Sequence, residues 1–108
     1  MPRPVLRSLF LGFVKIHVLF HAAAGEIYGL QMMEELSHHG FHLGPGTLYP
    51  ILHELERDGS LRSVERVVEG KVRKYYIITE IGRETLSAAT RQALELIREI
   101  APETGEKT

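Results

Sequence analysis

Two runs rich in valine, isoleucine and tyrosine, Leu61 to Val68 and Lys71 to Thr79, meet at Glu69-Gly70. They read as a β-hairpin closed by a two-residue turn, with the glycine supplying positive φ. In the second run Val72, Lys74, Tyr76 and Ile78 share one face, and Arg73, Tyr75 and Ile77 share the other. Helical patterns lie on both sides of this hairpin, so the chain reads as a mainly α fold with one hairpin.

Three helices precede it. The first spans roughly Pro4 to Ala23, with Leu6, Leu9, Phe10, Phe13, His17 and Phe20 at helical spacing. Val14, Ile16, Val18 and Leu19 widen its apolar surface, which predicts a largely buried helix. Lys15, His17 and His21 interrupt the apolar run and argue against a membrane span. The second helix is expected over Ile27 to His38, with Ile27, Leu30, Met33 and Leu36 inward and Gly40 at a left-handed cap. The third starts at Pro45, carries an apolar stripe at Leu48, Ile51, Leu52 and Leu55, and stops at Gly59. Pro50 lies inside it and predicts a kink through which the helix continues. After the hairpin, Thr79 is placed to cap a last helix through Ile100, which Pro102 ends.

The order ααα-ββ-α is that of a winged helix-turn-helix, with the second and third helices as the turn-linked pair and the hairpin as the wing. The expected division is a DNA-binding domain over 1–79, a dimerisation helix over 80–101 and a disordered tail over 102–108. The 108-residue chain has a net charge of only −1, so no global basic signature marks a nucleic-acid binder. Residues 25–56 hold five glutamates and no lysine or arginine. Residues 57–76, the end of the third helix and the wing, carry a net charge of +3. A wing bearing Lys71, Arg73 and Lys74 is suited to lie along phosphates.

Several motifs resemble the PadR family of transcriptional regulators. They are Ile27-Tyr28-Gly29-Leu30, Gly40-Phe41, the run from Pro45-Gly46-Thr47-Leu48-Tyr49-Pro50 to Asp58-Gly59, Gly70-Lys71-Val72-Arg73-Lys74-Tyr75-Tyr76, and Thr79-Glu80-Ile81-Gly82-Arg83. The resemblance covers about residues 5 to 95. It departs from the family at Gly44, where a serine is common; glycine offers no side-chain oxygen as a helix cap. With one short helix after the wing, the resemblance implies a compact subgroup. It implies a cytoplasmic regulator, a repressor relieved by small aromatic or drug-like molecules, with double-stranded DNA as its partner.

On this reading Thr47, Tyr49 and His53 reach the major groove, Lys71, Arg73 and Lys74 hold phosphates, and Pro50, Arg66 and Tyr75 complete the DNA-binding set. One of Tyr75 and Tyr76 must pack instead, because strand neighbours face opposite ways. A homodimer is expected through Phe10 and Phe13 of the first helix and Leu86, Ala89, Ala93, Leu96, Ile97 and Ile100 of the last. This pairing suits an inverted-repeat operator.

No nucleophile motif, glycine-rich phosphate loop or paired carboxylates point to an enzyme, and no cofactor is expected. The absence of cysteine excludes disulfides and cysteine-based zinc sites. His17 and His21 stand four residues apart, and His38, His39 and His42 gather at a turn. Lacking an evident acidic ligand set, they read as packing or surface residues, with no metal. The rival to DNA binding is a winged helix used for protein contacts, because Glu54 and Glu56 would repel phosphate if they faced it.

Overall fold

The computed structural model describes residues 3–101, and the expected tail, 102–108, lies outside them. The chain runs α1 (Pro4–Ala24), α2 (Gly29–His38), α3 (Pro45–Arg57), β1 (Leu61–Val68), β2 (Lys71–Ile78) and α4 (Glu80–Ile100). The ααα-ββ-α winged-helix order is present, with β1 and β2 antiparallel.

Glycine ends both helices of the helix-turn-helix in the same way. After α2, Gly40 takes φ +86°, the Phe41 amide donates to the Leu36 carbonyl and the Gly40 amide to that of Ser37. After α3, Gly59 takes φ +87°, Ser60 donates to Leu55 and Gly59 to Glu56. Both are Schellman closures, which satisfy the last carbonyls and turn the chain sharply. The hairpin turn places Glu69 at φ 53° and Gly70 at φ 80°, the double left-handed pair that a type I′ turn requires. α3 continues through Pro50. The proline's missing N–H leaves the Gly46 carbonyl without its intrahelical partner.

α2 begins two residues later than its apolar spacing suggests. Ile27 is not helical; it exchanges both backbone hydrogen bonds with Tyr76, at 3.0 and 2.7 Å, as a short third rung beside β2. The inward face shifts with it. Met32 and Leu36 are buried, Met33 is half-buried, and Leu30 is 59% exposed. Ile27 itself stays in the core, at 3% exposure.

α1 is also less covered than its composition suggests. Val14, Val18, Leu19 and Ala22 join Met32, Leu36, Leu48, Leu52, Leu55, Leu61, Tyr76 and Ile78 in one core. Val5, Leu6, Leu9, Phe13 and Phe20 are exposed in the single chain. Length and composition alone would let this helix cross a bilayer. Its buried side is instead core of this domain, and Lys15 pairs with Glu54 of α3 at 3.0 Å.

α4 is fastened at its start. Thr79 Oγ1 accepts from the Gly82 amide at 3.0 Å, and the Thr79 amide donates to the Ser60 carbonyl at 3.0 Å. Gly82 is buried so tightly that a β-carbon there would overlap the Ser60 carbonyl oxygen and the Ile78 side chain. Because the obstacle is backbone, Gly82→Ala is expected to destabilise the fold by about 2–3 kcal/mol. Urea unfolding reads this as a lower midpoint. An unchanged midpoint would mean that the start of α4 moves freely off Ser60.

Candidate nucleic-acid interface

The apolar stripe of α3 sets the orientation of everything else on it. With Leu48, Ile51, Leu52 and Leu55 buried, Gly46, Tyr49, Pro50, His53 and Arg57 form the opposite, exposed stripe. Glu54, also exposed, borders this stripe one turn after Pro50. Gly44 is the N-cap and makes no side-chain cap bond, as expected from the missing serine. Thr47 is half-buried and turned toward α1, where it lines a shallow groove with Arg7, Leu11, Lys15 and Pro50. Arg7 thus adds positive charge beside the first turn of α3, a contribution that reading α3 alone does not reveal.

The two glutamates of α3 are engaged within the chain. Glu54 takes Lys15, and Glu56 accepts from Ser63 Oγ at 2.6 Å and lies 3.7 Å from Lys74 Nζ. Each carboxylate has a lysine partner within the chain, which offsets part of the negative charge α3 would present to phosphate. Lys74 is correspondingly tied to the base of the wing, and its ammonium lies 5.5 Å from the Tyr76 ring centre.

Register divides the wing into two faces. Arg66 opposes Arg73, Val64 opposes Tyr75 and Val68 opposes Lys71, so these six share one face. Lys74, Val72 and Tyr76 share the other, and Tyr76 is the tyrosine that packs, at 1% exposure. On the first face Tyr28 meets Tyr75 edge-on at 5.5 Å. The Arg73 guanidinium lies 4.1 Å from the Tyr28 ring centre and 3.4 Å from the Tyr75 hydroxyl; that of Arg66 lies 4.9 Å from the Tyr75 ring. Planar guanidinium groups stacked on rings are held in place while their outer N–H groups remain available. Arg66 also forms a two-pronged pair with Glu26, and this hydrogen bond holds the Glu26 carboxyl below the ordinary carboxylate range.

Between the wing and the helices lies an open groove of about 440 Å³. Tyr28, Tyr49, Lys71, Arg73 and Lys74 line it. The hydroxyl end of Tyr49 rests on Gly29, where any β-carbon would collide with it. Tyr49 therefore joins α3 to the start of α2 as well as lining the groove. Tyr28 and Gly29 are the site residues that the motif contained without revealing their part. Nothing local in the sequence shows that Tyr28 stacks under Arg73.

The comparisons with known proteins agree with the fold. The model of the Transcriptional regulator PadR-like family matches residues 18–88. Transcriptional regulator Rv3488 of Mycobacterium tuberculosis (strain ATCC 25618 / H37Rv) is 48% identical over 95 residues, covering 88% of this chain and 89% of that protein. Among solved structures, a PadR family transcriptional regulator from Eggerthella lenta DSM 2243 superposes with a TM-score of 0.81 at 28% identity, covering 93% of this chain and 88% of that one. A Streptococcus transcriptional regulator gives 0.77 at 28% identity, over 99% and 100%. With the family model spanning most of the chain and the winged helix in place, the chain belongs to the PadR-like family of DNA-binding transcriptional regulators and is a regulator, not an enzyme.

Proposed function

We propose that the protein is a repressor that binds an inverted-repeat operator as a homodimer, with α3 in the major groove and the wing on the phosphates. The observation that carries this reading is the groove where Tyr49 of α3 meets Lys71 and Arg73 of the wing, next to glutamates already paired within the chain. Tyr49, Pro50 and His53 are the outward positions for base edges, with Thr47 beside them near Arg7. Lys71 and Arg73 are the principal phosphate ligands, with Lys74, Tyr75 and Arg66 in support. Such a regulator works in the cytoplasm, in contact with chromosomal DNA.

α1 and α4 supply the dimer faces in this reading, through Phe13, Leu96, Ile97 and Ile100, which are exposed in the single chain. Phe10 contributes less, because its ring packs on Phe41 at 5.6 Å. Ala89 and Ala93 are half-buried, and Leu86 packs against the core. Release by a small aromatic or drug-like effector belongs to the same proposal. A groove of about 200 Å³ lined by Ile16, His17, Phe20, Leu86 and Thr90 lies between α1 and α4, where an occupant would bear directly on the dimer.

The test is selection of bound sequences from random DNA, followed by affinity measurements over a range of salt concentrations. Enrichment of a palindromic site is expected. Failure to enrich any sequence, with salt-insensitive binding, would favour a winged helix used for protein contacts. Arg66 has its own test. Glu26→Gln removes its carboxylate partner and is expected to strengthen operator binding and steepen the salt dependence by about one charge. An unchanged slope would remove Arg66 from the phosphate contacts.

A further inference from the structure

α1 and α2 bring together histidines that are far apart in the chain. His17 and His21 stand one turn apart on α1, and Glu35 and His39 stand one turn apart on α2 and at its C-cap. The helices meet so that these two pairs face each other. One ligand atom from each of His21, Glu35 and His39 falls within 4.8 Å of the others. The Glu35 Oε2 to His39 Nε2 separation is 3.6 Å. The His17 ring centre lies 5.4 Å from that of His39 and 6.3 Å from that of His21.

We propose that His21, Glu35 and His39 form a divalent transition-metal site of the Zn²⁺ class, with His17 as the adjacent fourth donor. Two imidazoles and a carboxylate are a donor set that such ions favour. Zn–N and Zn–O bonds of about 2.0–2.2 Å place tetrahedral donors about 3.3–3.5 Å apart. The donor atoms of His21, Glu35 and His39, already within 4.8 Å of one another, lie close to that spacing. Several features distinguish it from a chance surface cluster. Residues 25–56 contain no lysine or arginine, so α2 has no cation of its own for Glu35. The Glu35 ion-pair partner among the described residues is His39. His21 and Glu35 are half-buried and line one end of an open cleft of about 240 Å³, which gives an ion a way in from solvent. A bound ion would tie α1 to α2, and so tie the helix bearing the proposed dimer face to the first helix of the helix-turn-helix.

The test is calorimetric titration of the untagged, chelator-treated full chain with Zn²⁺ alone. One ion per chain is expected, with a dissociation constant in the micromolar range or below. His21→Ala and Glu35→Gln should each weaken binding at least tenfold, whereas His38→Ala and His42→Ala should leave it unchanged. Zn²⁺ should raise Tm by several degrees in the parent chain and not in His21→Ala. Co²⁺ in the same site should show the visible absorption of a four- or five-coordinate nitrogen and oxygen set. The absence of saturable Zn²⁺ binding would overturn the proposal. So would binding that survives Glu35→Gln and His21→Ala but is lost with His38 or His42. Glu35→Gln keeps the shape of its side chain, so its result stands even if His21→Ala lowers stability.

Discussion

Replacing Lys71 and Arg73 together with alanine is expected to reduce operator affinity by roughly ten- to hundredfold at moderate salt and to lower the salt slope by about two. The two residues share one face of the wing and line the groove that opens toward α3. Arg73 is the better prepared of the pair, because its guanidinium is already stacked on Tyr28 and directed at the Tyr75 hydroxyl. The conservative variant Arg73→Lys keeps the charge but loses the planar stack, so it should recover only part of the loss. The wing should fold normally without these side chains, since its core contacts come from Leu61, Tyr76 and Ile78. A base-edge residue should behave differently. His53→Ala is expected to lower affinity for the selected site by about 1–3 kcal/mol, with little change in slope and little effect on unrelated DNA. Filter binding or fluorescence anisotropy from about 50 to 300 mM salt separates the two patterns. If the Lys71 and Arg73 double variant retains the parent slope, these two residues do not touch phosphate.

Local signals in the chain are legible wherever the physics itself is local. Glu69-Gly70 is a type I′ turn because both residues adopt positive φ. Gly40 and Gly59 close helices in the left-handed region, and Thr79 caps α4 through its own hydroxyl. Ile27 misleads because its apolar character fits a helical stripe as well as a strand. Its pairing with Tyr76, far along the chain, decides the matter. The same long-range contact shifts the buried face of α2 from Leu30 to Met32. Glu54 and Glu56 look like obstacles to DNA because charge counting cannot see Lys15 or Lys74 across the fold. The histidines look unsupported because their acidic companion, Glu35, belongs to a different helix from His21. Periodicity locates a face; it does not say which face of another element that one will meet.

Leu96→Glu with Ile97→Glu is expected to convert a dimer into a folded monomer and to weaken operator binding by roughly two to four orders of magnitude, the usual worth of a second tethered contact. The argument rests on apolar surface that a single chain leaves uncovered. α4 is about 31 Å long, and only its first part is held, through Thr79, Gly82 and Leu86. Beyond that, Leu94, Leu96, Ile97 and Ile100 are between 44% and 64% exposed. On α1, Leu6, Leu9, Phe13 and Phe20 lie bare on the side away from the core. α1 and α4 flank a common apolar groove, so the two faces border the same region of the surface. Apolar area of this extent on one chain calls for a partner, and a second copy satisfies it because a two-fold axis lets the same patch meet itself. Half-buried Ala89 and Ala93 would allow the partner helix to approach closely. Two wings and two α3 helices would then be presented together, at the spacing of about 34–36 Å that successive major grooves demand. Leu96 and Ile97 are the right positions to change, because they lie outside the core that Leu86 joins, so the monomer should keep its helical circular dichroism. Sedimentation of the parent chain at micromolar concentration should give twice the mass of this variant. A parent chain that sediments as a stable monomer would remove the dimer, and the expectation of a palindromic operator would go with it.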